Sequence, residues 1–167
     1  NGWYFYTREM QEKSERRHRL YNELVGALDN GRIVAHLQPI FSVQTGRIVS
    51  CEALARWQRE DGSWVSPGEF VPVAEESGLI NRVDFVVMQA AIDAVRGVNA
   101  LLGTGIGLSA NVSPRNFSSQ NQQMQRWMDT VKAAGREFGL TVEITERLLF
   151  DDPAEAHKAL DELAASG

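Results

Sequence analysis

Three residues with oxygen-bearing side chains, Glu52, Asn111 and Glu143, each sit inside a short, mostly apolar stretch of the chain. Two carboxylates and a carboxamide oxygen are hard ligands, suited to Mg²⁺ or Mn²⁺ rather than to zinc, which favours imidazole and thiolate. His18, His36 and His157 fall on a linker, a first strand and a terminal helix, with no ligand spacing among them. Arg56, four residues after Glu52, suits a two-point grip on phosphate, and it suits an ion pair with Glu52 equally well. Gln38 is placed to bond a base edge or a neighbouring backbone group. Asn111 has an alternative partner in exposed backbone, and Glu143 in solvent at a strand end. The Asp151-Asp152 pair invites a metal reading, but Asp152 followed by Pro153 and Glu155 is better explained as a helix cap. Cys51, the single cysteine, reads as a buried thiol and not a nucleophile.

The elements that must position these groups follow from periodicity. Side chains on a strand alternate faces. In Ile48–Trp57 this sets Ser50, Glu52, Leu54 and Arg56 on one side, with Val49, Cys51, Ala53, Ala55 and Trp57 on the other. In Ile106–Ser113 it separates Ile106, Leu108, Ala110 and Val112 from Gly107, Ser109, Asn111 and Ser113. In Leu140–Glu146 it separates Val142 and Ile144 from Thr141, Glu143 and Thr145. A first strand, Val34–Ile40, carries Gln38 on a face with Val34, His36 and Ile40, and Pro39 consigns it to a sheet edge or ends it there.

Helical patterns fall between the strands. The first runs from Thr7 to about Leu28, with Met10, Tyr21, Leu24 and Leu28 as a thin apolar stripe on a solvated connector ended by Asn30-Gly31. Ser66-Pro67-Gly68-Glu69 has the form of a capping box, Pro72 breaks that turn from the next, and Gly78 closes it. A long helix follows from about Ile80 to Leu101, with Val83, Val87, Ala90, Ala91 and Ala94 on its apolar side. Gly103-Thr104-Gly105-Ile106-Gly107 precedes a strand, so it is a turn and not a phosphate loop. Another helix spans about Ser119 to Phe138, using Met124, Trp127, Met128 and Val131, and a last one runs from Asp152 to about Ala165.

Strand–helix alternation predicts parallel strands with crossover helices. A doubly wound sheet is apolar on both faces. Here three strands keep one face small or polar, which favours a (β/α) barrel, or part of one, with that face inward.

The totals agree. The chain's 167 residues make one medium domain, 43% hydrophobic and 23% charged. A net charge of -5 argues against nonspecific binding of DNA or RNA, but leaves room for a small phosphorylated ligand. No apolar run reads as a membrane span and the N-terminus carries no signal-peptide pattern, so the expectation is cytoplasmic, with any membrane anchor elsewhere in a longer parent.

Several motifs together resemble the EAL domains, bacterial phosphodiesterases of cyclic di-GMP. They are Gln38-Pro39-Ile40, Glu52-Ala53-Leu54 with Ala55-Arg56-Trp57, the helical segment Phe70–Ile80, Asn111-Val112-Ser113 and Glu143-Ile144-Thr145-Glu146, in that order. The likeness covers about Leu24 to Gly167. Residues 1–6 resemble the last strand of a GGDEF domain, which makes 7–28 a linker helix and 29–167 the N-terminal half of an EAL domain.

The resemblance implies a TIM-like barrel whose first strand is antiparallel to its neighbours. It implies divalent cations on Glu52, Asn111 and Glu143 as the catalytic residues, with Gln38, Leu54 and Arg56 contacting the dinucleotide. In such enzymes a two-metal site activates water for in-line attack, opening the ring to linear pGpG. The family's further ligands lie beyond Gly167, in an Asp-Asp-Phe-Gly strand motif and later strands. This chain alone is therefore expected to be inactive, and to dimerise through its open edges. The competing class is a module that binds cyclic di-GMP without hydrolysing it; the intact ligand set favours the enzyme.

Overall fold

A computed structural model describes residues 8–112, 122–144 and 161. The aromatic strand at 1–6, the Thr7 cap, Ser113, Thr145, Glu146, the Asp151-Asp152 pair with its capping box, and His157 lie outside the described residues. Helix α1 (Arg8–Asp29) leads into strands β1 (Ile33–Phe41), β2 (Ile48–Gln58) and β3 (Trp64–Val65). Helices α2 (Pro67–Ser77) and α3 (Ile80–Leu102) follow, then β4 (Gly107–Val112), α4 (Gln122–Phe138) and β5 (Leu140–Ile144).

The sheet order is β1-β2-β4-β5, with β3 paired to β2. β1 is the antiparallel edge strand, and Pro39 sits within it, opposite Cys51. Strands β2, β4 and β5 are parallel. Helices α2 and α3 make one crossover and α4 the next.

Among the described residues, α2, α3 and α4 pack on one face of this sheet, and α1 packs on α2. Ala53 and Trp57 of β2, with Leu108, Ala110 and Val112 of β4, join one buried cluster with Leu24, Phe70, Val83, Ile92, Val131 and their neighbours from the helices. The Trp57 and Phe70 rings meet edge to face at 5.7 Å and lock β2 to α2. The opposite face carries Glu52, Asn111 and Glu143 and receives no helix among the described residues. This is the arrangement of a (β/α) barrel's first half, and not of a doubly wound sheet.

Several local expectations are corrected. Met10 is half exposed, while Leu24 and Leu28 of the expected stripe are buried with Tyr21 packed against them, and Leu20 and Ala27 join them, so the second half of this helix is core rather than connector. On α3, Ala90 and Ala94 face solvent, while Ile80, Met88, Ile92 and Val95 join Val83, Val87 and Ala91 inside. α3 is also long and apolar enough by composition to cross a membrane, against the sequence reading. Burial of one face, with Arg82 paired to Asp29 and Arg96 to Glu137, accounts for its apolarity as a core helix. Pro72 does not break α2, which runs through it. Ser66 is the N-cap residue, but its hydroxyl makes no capping bond, and Glu69 pairs with Arg16 of α1 rather than reaching back. Strand β3 carries no alternation long enough to read and was not expected.

The turn at Gly103 is held by its own chemistry. Gly103 takes the left-handed conformation (φ 61°) as the C-cap of α3. Asn99 accepts from the Ile106 amide at 2.8 Å and donates to the Ile106 carbonyl at 2.9 Å. These bonds aim the chain straight into β4.

Candidate functional site

The helix-free face of the sheet is where the sequence-predicted residues collect. β1 lays Gln38 directly opposite Glu52, His36 opposite Leu54, and Val34 opposite Arg56. On the other side of β2, Glu52 lies level with Ser109, and Ser109 with Thr141. Asn111 stands two residues further along β4, level with Glu143 on β5. Because alternate residues share a face, all of these side chains leave the sheet on the same side.

Asn111 bridges the two levels: its Nδ2 donates to Glu52 Oε1 at 3.0 Å. This bond uses the amide nitrogen, the wrong atom for a cation, and one of the two carboxylate oxygens. Asn111 Oδ1 and Glu52 Oε2 remain as lone-pair donors, with the Glu143 carboxylate on the adjacent strand. The donor set is all oxygen from this side, open and partly solvated, which fits Mg²⁺ or Mn²⁺. Among the described residues no three carboxylate, imidazole or thiolate groups converge on one point, so these three side chains alone would fill only part of a coordination shell. Ser109 Oγ is buried on the same face with no hydrogen-bond partner among the described residues. That is an unmet polar atom next to the ligands in register.

Arg56 does not pair with Glu52. Four residues of extended strand separate their backbones by about 13 Å, and the guanidinium instead donates from Nη1 to the Ala55 carbonyl at 2.9 Å. The ion-pair alternative is thereby removed. The reason lies in the ladder. β4 pairs with β2 over Ser50–Ala53, and β3 pairs with the same edge of β2 at Trp57 and Gln58. Leu54, Ala55 and Arg56 fall in the gap between these neighbours, and their backbone edge opens onto a cavity of about 290 Å³. Val71, Val83 and Val87 give the cavity apolar walls, while Arg56, Glu75, Asp84 and Asn111 supply polar groups.

Sequence reasoning singled out Gln38, Glu52, Leu54, Arg56, Asn111 and Glu143, and the structure places all six on one face or its rim. It missed Glu75 and Asp84, although Glu75 lies inside the Phe70–Ile80 segment already singled out as distinctive. It also assigned nothing to Ser109 or Trp64. Cys51 lies on the core side, and burial pushes its thiol pKa up, consistent with an unreactive group.

Comparison with known proteins supplies the family. Residues 21–167 match the family model described as the EAL domain. The match begins beside Leu20, the point in α1 where burial begins. Cyclic di-GMP phosphodiesterase PdeL of Escherichia coli (strain K12) is 31% identical over 137 residues, covering 82% of this chain and 38% of PdeL. The chain spans well under half the length of the curated relatives it matches. The EAL enzyme Bd1971 in its cGMP-bound form superposes with a TM-score of 0.79 at 22% identity, over 94% of this chain and 44% of that one. The Xanthomonas citri FimX EAL domain in complex with c-diGMP gives 0.71 at 25% identity, over 93% and 60%. With its antiparallel first strand, parallel successors and a match to the family model over residues 21–167, the chain belongs to the EAL-domain family.

Proposed function

We propose that the complete domain containing this chain hydrolyses cyclic di-GMP to linear pGpG with the help of divalent cations. The observation that carries this reading is the Glu52–Asn111–Glu143 cluster, joined by a 3.0 Å hydrogen bond and a shared strand register on the one face that the described helices leave open. Relatives named as cyclic di-GMP phosphodiesterases support the substrate.

In this reading Glu52, Asn111 and Glu143 hold Mg²⁺ or Mn²⁺ through oxygen. Such a cation, when bound, makes water a better nucleophile and neutralises charge on the phosphodiester. The chain's own groups orient the substrate. Arg56, already at the mouth of the cavity, exchanges its intramolecular Ala55 bond for the ligand. Gln38, opposite Glu52, offers an amide to the dinucleotide, and Leu54 gives it an apolar contact. The cavity takes one base, whose edge meets the Leu54–Arg56 stretch once Arg56 has released the Ala55 carbonyl, while Val71 and Val87 cover its faces.

Among the described residues three ligand side chains are too few for two octahedral cations, and in this reading the 167 residues by themselves do not turn over the substrate. The exposed first half of α1 is the connector to a preceding domain of GGDEF type. Incubating the complete protein with cyclic di-GMP and Mg²⁺ or Mn²⁺, with products separated by chromatography, tests the reading. Appearance of pGpG that EDTA abolishes is the expected result. Tight binding without product would instead make the protein a sensor.

A further inference from the structure

The hairpin that ends in β3 presents one residue outward. Val65 is buried, whereas Trp64 is 49% exposed. Trp64 lies opposite Gln58, two residues beyond Arg56, and therefore emerges on the same face as Arg56, Leu54 and Glu52. The hairpin is closely tied: Arg59 N donates to Ser63 O at 2.8 Å, Gly62 N to Arg59 O at 3.0 Å, and Ser63 N to the Asp61 carboxylate at 2.9 Å. The Ser63 bonds hold the Asp61 carboxyl below its ordinary range. So much local order for a two-residue strand needs a reason beyond closing a loop.

β1 and β3 flank β2 on opposite sides, since Trp57 pairs with both Ile33 and Val65. The His36 and Trp64 rings nonetheless meet edge to face, with centroids 5.2 Å apart and planes at 70°. They therefore reach across β2, over the face that carries Arg56. His36 is itself exposed and sits opposite Leu54. Neither ring is in the core, so this aromatic bridge contributes little to the buried cluster.

The cavity beside Arg56, at about 290 Å³, is at the small end of ligand pockets, and it is walled by Val71, Val83 and Val87 of α2 and α3. A base that stays outside this helix-walled cavity has the helix-free face beside it, where His36 and Trp64 stand. We propose that His36 and Trp64 form a stacking platform for a purine base, receiving the second base of the dinucleotide while Arg56 and the cavity hold the first. The proposal rests on the cyclic di-GMP reading above. A half-exposed indole in edge-to-face contact with an imidazole offers a base the large flat contact that stacking requires.

The test uses the complete protein with EDTA present to prevent turnover, and follows cyclic di-GMP binding by calorimetry and by tryptophan fluorescence. For the wild type the expected result is binding with partial quenching of the emission. Trp64→Phe keeps a stacking face, so it should bind within about threefold of wild type but lose the quenching. Trp64→Ala should bind on the order of tenfold more weakly, at the scale of one lost base–aromatic stack. His36→Ala should fall between these. If Trp64→Ala binds as wild type does, or if quenching persists in Trp64→Phe, the platform is refuted while the substrate reading stands. If the wild type itself fails to bind cyclic di-GMP, the substrate reading falls and the platform with it. The Trp64→Phe spectrum decides the matter even if the alanine variant does not fold.

Discussion

The two faces of β2 are built from neighbouring residues and do opposite work. Ala53 and Trp57 point into a dry cluster shared with four helices, and Cys51 and Ala55 pack against its margin. Glu52, Leu54 and Arg56, interleaved with them, point to a side left open by the described helices, where they stay partly solvated. A strand is the economical way to hold both surfaces, because its period of two separates them within a single backbone trace. The difference teaches that substitutions one residue apart should fail in different assays.

The sharpest contrast comes from Glu52→Ala. It removes a ligand oxygen and Asn111's hydrogen-bond partner, and hydrolysis by the complete protein should fall by about a thousandfold or more, the scale of a lost metal contribution. Its unfolding midpoint in urea should stay near that of wild type, because the site face is outside the core. Trp57→Ala reverses the pattern. It empties a position 2% exposed and breaks the contact with Phe70, so unfolding should become easier by about 3–5 kcal/mol. Metal affinity per folded molecule should be unchanged. A Trp57 variant that kept its stability, or a Glu52 variant that unfolded, would break the comparison.

Arg56→Lys probes the rim between the faces. Lysine keeps the charge but cannot repeat the planar fork. Dinucleotide affinity should drop about tenfold, as expected for a charge-assisted bond worth about 1.5–3 kcal/mol, with little change in stability. The smallest effect belongs to the periphery, where Arg96 holds the Glu137 carboxyl below its ordinary range through hydrogen bonding and charge. With the folded value depressed, the pair's contribution is present above the unfolded carboxylate pKa and is lost as pH falls through the folded one. Glu137→Gln should slightly lower stability at neutral pH, and the difference from wild type should vanish in acid. Both residues are exposed, so the shift will be small.

How much of this was legible beforehand differs by element. Alternation alone put Glu52, Asn111 and Glu143 on the polar sides of their strands, and the structure agrees for all three. The helix ends at Asn30-Gly31 and Gly78 were also readable, since positive φ at these glycines is a local need. Local rules misled where a tertiary partner outbid them. Glu69 left the capping box for Arg16, and α2 tolerated Pro72 because its Phe70, Val73 and Ala74 are held in the core. Ala90 and Ala94 have the right spacing for a buried stripe, but the larger Met88 and Ile92 side chains took the inner positions on the sheet.

By itself, then, the sequence determined which side chains share a face, because the strand period is local and survives any arrangement of neighbours. It also determined the oxygen-only character of the candidate ligands. Only the tertiary structure decided which of them meet. Gln38 faces Glu52, Asn111 reaches Glu52 and stands level with Glu143, and Arg56 turns away into a gap between β4 and β3. These juxtapositions depend on strand order and register across long separations in the chain. Register is set by which apolar faces bury together, and no local spacing carries that information.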